Sequence, residues 1–352
     1  MPWTVQFPGH QGDALTSSTR KTRSKQPIEH LLLSEHQLEE MYETMLLARR
    51  LNERMLALNR QGRAPFFIGG TGQEAAQVGA AMSLRRGEDY LVPYYRDLAM
   101  NLVFGMTARE AMLNLLAKRA DPHGGGRQMP SHWGVASRRV VTGSSVVATQ
   151  LVHAAGIGLA AKMCNDPIVV LVCCGEGSTS KGDFHEALNF AQIHRLPVIF
   201  YVQNNGYAIS ESTEKEMPIA HVSDRARAYN MQSASVDGMD AIAVYQTVRP
   251  AVDQARRGGG PFLIEARCYR LGAHSSDDDD TRYRPRAELE EWTQKDPLTL
   301  FRHRVETDHI FPAAELDEIE ARVKQEVQDA VEWAADQPDP EPEDALGFVY
   351  RE

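Results

Sequence analysis

Apolar residues early in the chain recur at helical spacing. Ser34-x-x-Gln37 has the form of a capping box, and Leu38, Met41, Met45, Leu51, Met55 and Leu58 follow it with a helical period. One long helix is predicted there, with Gly62 as its terminator. The small-residue run TGQEAAQVGAAMSL predicts a second helix, and Thr107-x-x-Glu110 caps a third through REAMLNLLAK. From about residue 147 the pattern becomes helix alternating with strand: VATQLVHAAGIGLAAKM, PIVVLVCC, FHEALNFAQIH, PVIFYVQNN. A helix over about 240–257 precedes the strand PFLIEARCYR, and Pro250 inside it predicts a kink or no helix there.

Uninterrupted apolar strands separated by amphipathic helices predict an α/β fold, a mostly parallel sheet with helices on both faces. RLGAHSSDDDDTRYRPR lacks periodicity and reads as a long loop. Beyond residue 286 the chain reads as charged helix that ends in the extended run QPDPEPEDAL. The expected organisation is an N-terminal arm over 1–30, disordered or extended, and one α/β domain over 31–352 with helical extensions at both ends. No internal repeat is visible.

Bulk properties narrow the function more than the fold. A 352-residue chain with 42% hydrophobic and 24% charged residues has the makeup of a soluble protein with a sizeable core. A net charge of −10 argues against a nucleic-acid footprint, and no apolar run is long enough to span a bilayer. The opening residues lack the apolar core of a secretory signal, and Pro2, Pro8, Gly9 and Gly12 break any amphipathic presequence helix around the basic cluster at 20–25. Cys164, Cys173, Cys174 and Cys268 show no CxxC spacing, and three lie in apolar surroundings, as expected for reduced cysteines of a cytoplasmic protein.

The chemistry concentrates where PIVVLVCC runs into Gly175-Glu176-Gly177. A desolvated, unpaired carboxylate at a buried strand end costs roughly several kcal/mol, so something should neutralise it. The next strand ends at Asn204-Asn205-Gly206-Tyr207, and if the two strands are neighbours, Glu176 and Asn205 emerge at one sheet edge, where open parallel sheets bind ligands. One anionic and one neutral hard oxygen suit Mg²⁺, which completes its shell with phosphate oxygens and water. The glycines allow backbone amides to approach a phosphate at the start of the following helix. Two other readings stay open on the residues alone. A dinucleotide site lacks its third glycine, since Ser178, Thr179 and Ser180 follow, and a structural GEG turn needs no ligand.

GEGSTSKGD followed by NNGYAIS resembles the thiamine diphosphate and magnesium motif of the 2-oxo acid dehydrogenases. From about residue 38 onward the chain resembles the alpha subunit of their decarboxylating component, and VPYYRD, GRQMPSHWG, SSVVATQ and GAHSSDDDDTRYR carry the likeness in order. The resemblance implies a thiamine-diphosphate-binding fold with Mg²⁺ on Glu176, Asn205 and the backbone carbonyl of Tyr207. It implies a diphosphate grip by Tyr95, Arg96 and the amides of Gly177 and Ser178. A permanently charged fork suits phosphate oxygens, although by residue type alone Tyr95-Arg96 is an ordinary surface pair. His274 is implied to lie over the diphosphate and to assist acyl transfer, where otherwise a loop histidine is a solvated bystander. Ser144, Thr149 and Gln150 match a monovalent-cation site, for K⁺, of the branched-chain members; as residues they read equally as a helix-start cap.

PFFIGG, VPYYRD and GRQMPSHWG look more like branched-chain than pyruvate members, which places Phe66, Tyr95, Met129 and His132 around the substrate side chain. The alternative is that Phe66 and Met129 are ordinary core residues and the beta subunit sets selectivity. Two departures stand out: Gln203 where mitochondrial relatives carry arginine, and Ala273 where they carry histidine. The glutamate that activates the cofactor is implied to belong to a beta subunit, so this chain is expected to supply half of each active site in an α2β2 assembly. Its expected partners are that subunit, the lipoyl domain of an acyltransferase and a small 2-oxo acid. Pyruvate or acetoin dehydrogenase alpha subunits are the alternatives within the family, and a non-catalytic nucleotide- or metal-binding regulatory subunit is the alternative outside it.

Overall fold

The structure, a computed structural model, describes residues 27–28 and 31–347. The expected N-terminal arm, apart from Pro27 and Ile28, lies outside the described residues. β1 (Pro27–Ile28) and β2 (Leu33–Ser34) form a small antiparallel pair leading into α1 (Glu35–Arg60). Both halves of the predicted capping box are made: Gln37 N–H donates to Ser34 Oγ at 3.3 Å and Ser34 N–H to Gln37 Oε1 at 3.0 Å. α2 (Glu74–Ala81) is shorter than its small-residue run, and every residue in it is buried. β3 (Tyr90–Val92) and α3 (Leu98–Val103) follow, then α4 (Ala108–Leu115), with the Thr107–Glu110 box closed at its start.

The alternating part is α5 (Thr149–Cys164), β4 (Val170–Gly175), α6 (Gly182–His194) and β5 (Val198–Asn204). A tight hairpin of β6 (Tyr207–Ala208) and β7 (Glu211–Ser212) precedes the one-turn α7 (Thr213–Glu216). Then come β8 (Gln232–Asp237), α8 (Ala241–Arg256) and β9 (Phe262–Arg267). The C-terminal helices are α9 (Arg286–Thr293), α10 (Pro297–Thr307) and α11 (Ala313–Ala335).

β3, β4, β5, β9 and β8 form one wholly parallel sheet in that order. Successive side chains of a strand point to opposite faces, and both faces here are covered. Val170, Val172 and Cys174 pack with α5 and α6, while Val169, Leu171 and Cys173 pack into a larger core built from α1–α4, α8, α10 and α11. That is why β4, β5 and β9 are apolar without alternation. The chain is α/β with a parallel sheet between helical layers, as its pattern predicts.

Some boundaries and elements differ from the pattern. α8 continues through Pro250, because Val244, Val248, Ala251, Val252 and Ala255 bury one continuous face. Tertiary packing outweighs the lost backbone bond. β3 and β8 escaped the sequence pattern because they are edge strands, one only three residues long and the other mostly exposed and polar. The expected extended tail contains a 3-10 turn at Pro342–Leu346. The cysteines are all free, with Cys173, Cys174 and Cys268 buried. No helix among the described residues is long and apolar enough to cross a membrane.

Candidate active site

β4 and β5 are adjacent and parallel with Gly175 opposite Gln203, so Glu176 and Asn205 leave the sheet at the same edge. Glu176 is buried; one carboxylate oxygen accepts from Asn205 N–H at 3.0 Å, and Oε1 has no hydrogen-bond partner among the described residues. Burial, offset in part by backbone hydrogen bonds and the Arg270 charge, pushes its carboxyl up to about 7. The backbone around it is fitted to close approach. A Cβ on Gly177 would lie 2.8 Å from Ala208 Cβ, and Gly206 has φ +89°, a region open to glycine. Asn205 Oδ1 accepts from Tyr207 N–H at 3.3 Å, which closes the turn after β5.

A cavity of about 380 Å³ opens above this edge. Its wall contains Phe66, Tyr95, Arg96, Met129, His132, Glu176, Gly177, Ser178, Asn205, Tyr207 and His274, residues that the sequence spreads over more than two hundred positions. Arg96 is 2% exposed, so it is no surface pair. Its guanidinium donates to Gly69 O at 2.8 Å and to the carbonyl and Nδ1 of His274, each at 2.9 Å, and lies 5.3 Å from the Tyr95 ring centre. A guanidinium only donates, so Nδ1 of His274 is an acceptor and the ring proton is on Nε2. Burial and the nearby Arg96 and Arg270 push His274 down to about 4, which keeps it neutral.

The loop carrying His274 is tied down by its own side chains. Asp278 accepts from His274 N–H at 2.7 Å and from the Tyr283 hydroxyl, and Ser276 N–H donates to Phe67 O at 2.8 Å. The acidic run therefore divides its work: Asp277 is exposed, whereas Asp278 holds the histidine backbone and Asp280 pairs with Arg284.

Phe66, Tyr95, Met129 and His132, which the sequence reading expected around a substrate, line the cavity together with Ile68, Pro130 and Val147. Phe66 is half-buried and Met129 is 51% exposed, so neither is ordinary core. His132 is oriented by Ser145 Oγ on Nε2 at 2.6 Å and by Met129 O on Nδ1 at 3.0 Å. Ser144, Thr149 and Gln150 lie outside the cavity wall. They are not a helix cap either, since α5 starts from Ala148 without a side-chain cap bond. Gln150 is buried, donates to Cys173 O at 2.8 Å, and leaves its Oε1 without a partner among the described residues.

Two residues at the site escaped the sequence reading. Arg270, 1% exposed, donates to Ile209 O at 2.8 Å and Tyr207 O at 3.4 Å and so spans the turn after β5. Glu265, wholly buried on β9, accepts from Asn204 Nδ2 at 2.8 Å and from Ser223 at 3.3 Å. The signal for Glu265 was present: like Glu176, it is a carboxylate inside an apolar strand.

Residues 42–343 match the family described as dehydrogenase E1 component. The chain belongs to that family. It is 49% identical over 322 residues to the 2-oxoisovalerate dehydrogenase subunit alpha of Bacillus subtilis, covering 90% of this chain and 96% of the relative. It is 37% identical over 303 residues to the pyruvate dehydrogenase E1 component subunit alpha of Staphylococcus aureus, covering 86% of this chain and 79% of the relative. The 3-methyl-2-oxobutanoate dehydrogenase subunit alpha of Mycobacterium tuberculosis is 36% identical over 326 residues, covering 92% of this chain and 85% of the relative. Members of the E1 family use thiamine diphosphate, and the parallel sheet with its loaded edge is their cofactor-binding fold.

Proposed function

We propose that this chain is the alpha subunit of a branched-chain 2-oxo acid dehydrogenase, acting on 3-methyl-2-oxobutanoate and its homologues. With a beta subunit it decarboxylates the 2-oxo acid and passes the acyl group to the lipoyl domain of an acyltransferase. The observation that carries this reading is a single cavity joining a buried, half-satisfied carboxylate to a buried arginine and an apolar wall. Residues 31–352 act as one diphosphate-binding unit, of which 31–347 are described.

The residues fit the groups the family implies. Oε1 of Glu176, the amide oxygen of Asn205 and the Tyr207 carbonyl make a donor set of hard oxygens suited to Mg²⁺, which takes few protein ligands when phosphate supplies others. Gly177, Ser178, Tyr95 and Arg96 all line the cavity, and the amides of the first two with the side chains of the last two would hold the diphosphate. The buried Gln150 Oε1, without a partner among the described residues, supports a K⁺ site shared with Ser144 and Thr149. Bound thiamine diphosphate supplies the carbanion chemistry at its thiazolium ring, and the protein supplies binding, orientation and electrostatics. Arg96, fixed through Gly69 O, keeps its charge at the phosphate end. His274, neutral and with Nδ1 occupied, holds a proton at Nε2 and would assist acyl transfer. Phe66, Ile68 and Met129 exclude water from the substrate side chain.

Subunit dependence tests the reading as a whole. Purified alone, the chain should turn over no 2-oxo acid, because the activating glutamate is on the beta subunit; adding that subunit with Mg²⁺ and thiamine diphosphate should restore decarboxylation. Turnover by the rigorously isolated chain, or saturable binding of NAD in preference to thiamine diphosphate, would refute it. A separate expectation concerns His274. General acid–base groups contribute about 10²–10⁴-fold, so His274→Ala should lower reductive acylation of a lipoyl domain at least tenfold more than decarboxylation with an artificial electron acceptor. Equal losses in the two assays would leave His274 a cofactor-binding group only.

A further inference from the structure

Beneath the cavity, a buried polar chain joins the turn that carries Arg96 to β5, the strand that leads to Asn205. Ala99 N–H donates to Gln77 Oε1 at 3.1 Å, and Gln77 Nε2 donates to Arg96 O at 3.0 Å and to Gln203 Oε1 at 3.1 Å. Gln203 Nε2 donates to Asp97 Oδ1 at 2.6 Å, and Tyr94 N–H donates to Asp97 Oδ2 at 2.9 Å. Gln77, Asp97 and Gln203 are at most 1% exposed. Backbone groups fix the polarity at both ends: Ala99 N–H and Arg96 C=O set the Gln77 amide, and Tyr94 N–H demands an acceptor at 97. The sequence of donors and acceptors therefore closes only with a carboxylate at 97 and an amide at 203. An arginine at 203 would satisfy Asp97 but turn a donor toward Gln77 Nε2, which gives the Gln203 departure a physical reason.

We infer that Gln77, Gln203 and Asp97 form a positioning brace that sets the spacing between the diphosphate-gripping turn and the metal-holding strand end. The brace clamps backbone on both sides of Tyr95-Arg96 and reaches β5 two residues before Asn205. Buried Asp89 and Glu74, by contrast, pair with Arg256 and Arg49 and hold helices rather than the site. None of the three brace residues lines the cavity, so they act through Arg96 and Asn205 and not on the reacting atoms. The inference rests on the cofactor reading above.

Reversing the polarity of one link tests it. Asp97→Asn sets an amide donor against either Tyr94 N–H or Gln203, and Gln203→Glu sets two carboxylates face to face; combining the two substitutions restores every hydrogen bond with the same charge. Burial pushes Asp97 up to about 7, so the measurements belong at pH 8, where it is the ionised acceptor. In the assembled alpha–beta protein, titration calorimetry with thiamine diphosphate at saturating Mg²⁺ should show each single variant weakened at least tenfold and the double variant within threefold of the parent. At saturating cofactor, kcat should stay within threefold throughout. If a single variant fails to assemble, Gln203→Met, which keeps the volume and removes both bonds, should show the same tenfold weakening. Parent-like affinity in the single variants, a double variant no better than they are, or loss confined to kcat would overturn the brace. Absence of saturable binding by the parent would instead overturn the cofactor reading, and the brace with it.

Discussion

Glu176→Gln in the assembled alpha–beta protein should cost at least about a thousandfold in cofactor-dependent decarboxylation, several kcal/mol of lost metal and phosphate binding. The same change should make the cofactor-free protein more stable at pH 8. Both effects come from one atom. Oε1 of Glu176 is buried without a partner, which is unfavourable until a cation arrives. Because burial pushes the carboxyl up to about 7 from its usual 4.5, the folded protein binds this proton more tightly than the unfolded chain does. The stability of that protonated form is fully present below about pH 4.5 and is lost as pH rises through about 7, a swing of roughly 3 kcal/mol at most. An uncharged amide of the same shape escapes the loss. Thermal melts of cofactor-free parent and variant should therefore nearly coincide at pH 5 and separate at pH 8, with the variant higher. Ordinary activity of the variant at ordinary Mg²⁺ would dismiss the metal assignment, and melts that separate equally at both pH values would dismiss the electrostatic one.

Substrate choice should be nearly as large an effect. Phe66, Ile68, Met129 and Val147 give the cavity apolar lining, which under the proposed function would receive an isopropyl or isobutyl side chain. Each methylene held in such a wall is worth about 1–3 kcal/mol, or about 10- to 200-fold. Pyruvate lacks two or more of those carbons, so kcat/KM for 3-methyl-2-oxobutanoate should exceed that for pyruvate by at least about a hundredfold. Phe66→Ala should shrink that ratio without changing cofactor affinity. A parent ratio near one, or favouring pyruvate, would leave the E1 family membership intact and remove the branched-chain assignment.

The layered α/β fold was legible because its signals are local. The capping box at Ser34 closes on itself within one turn, and the strands β4, β5 and β9 are apolar on both faces because helices cover both. Glu176 announced itself for a related reason: a carboxylate cannot end a buried strand without a task. The edge strands β3 and β8 gave no comparable signal: β3 is only three residues long, and the mostly exposed, polar β8 needs no particular pattern.

What the amino-acid order determined by itself is the main helices, the central strands β4, β5 and β9, their layering and the identity of the two strand ends that carry Glu176 and Asn205. Only the tertiary structure decided what meets above and below them. Gln203, Asp97 and Gln77 come from three separate stretches, and nothing in any of them shows that backbone groups at Tyr94, Arg96 and Ala99 dictate their polarity. Arg270 and Glu265 likewise acquire their roles from burial against the turn after β5, a contact made by chain crossing and not by spacing. Periodicity records how much of a residue is buried; which donor faces which acceptor is settled when separate strands and helices pack, and there the desolvation cost of each unmatched group selects the partner.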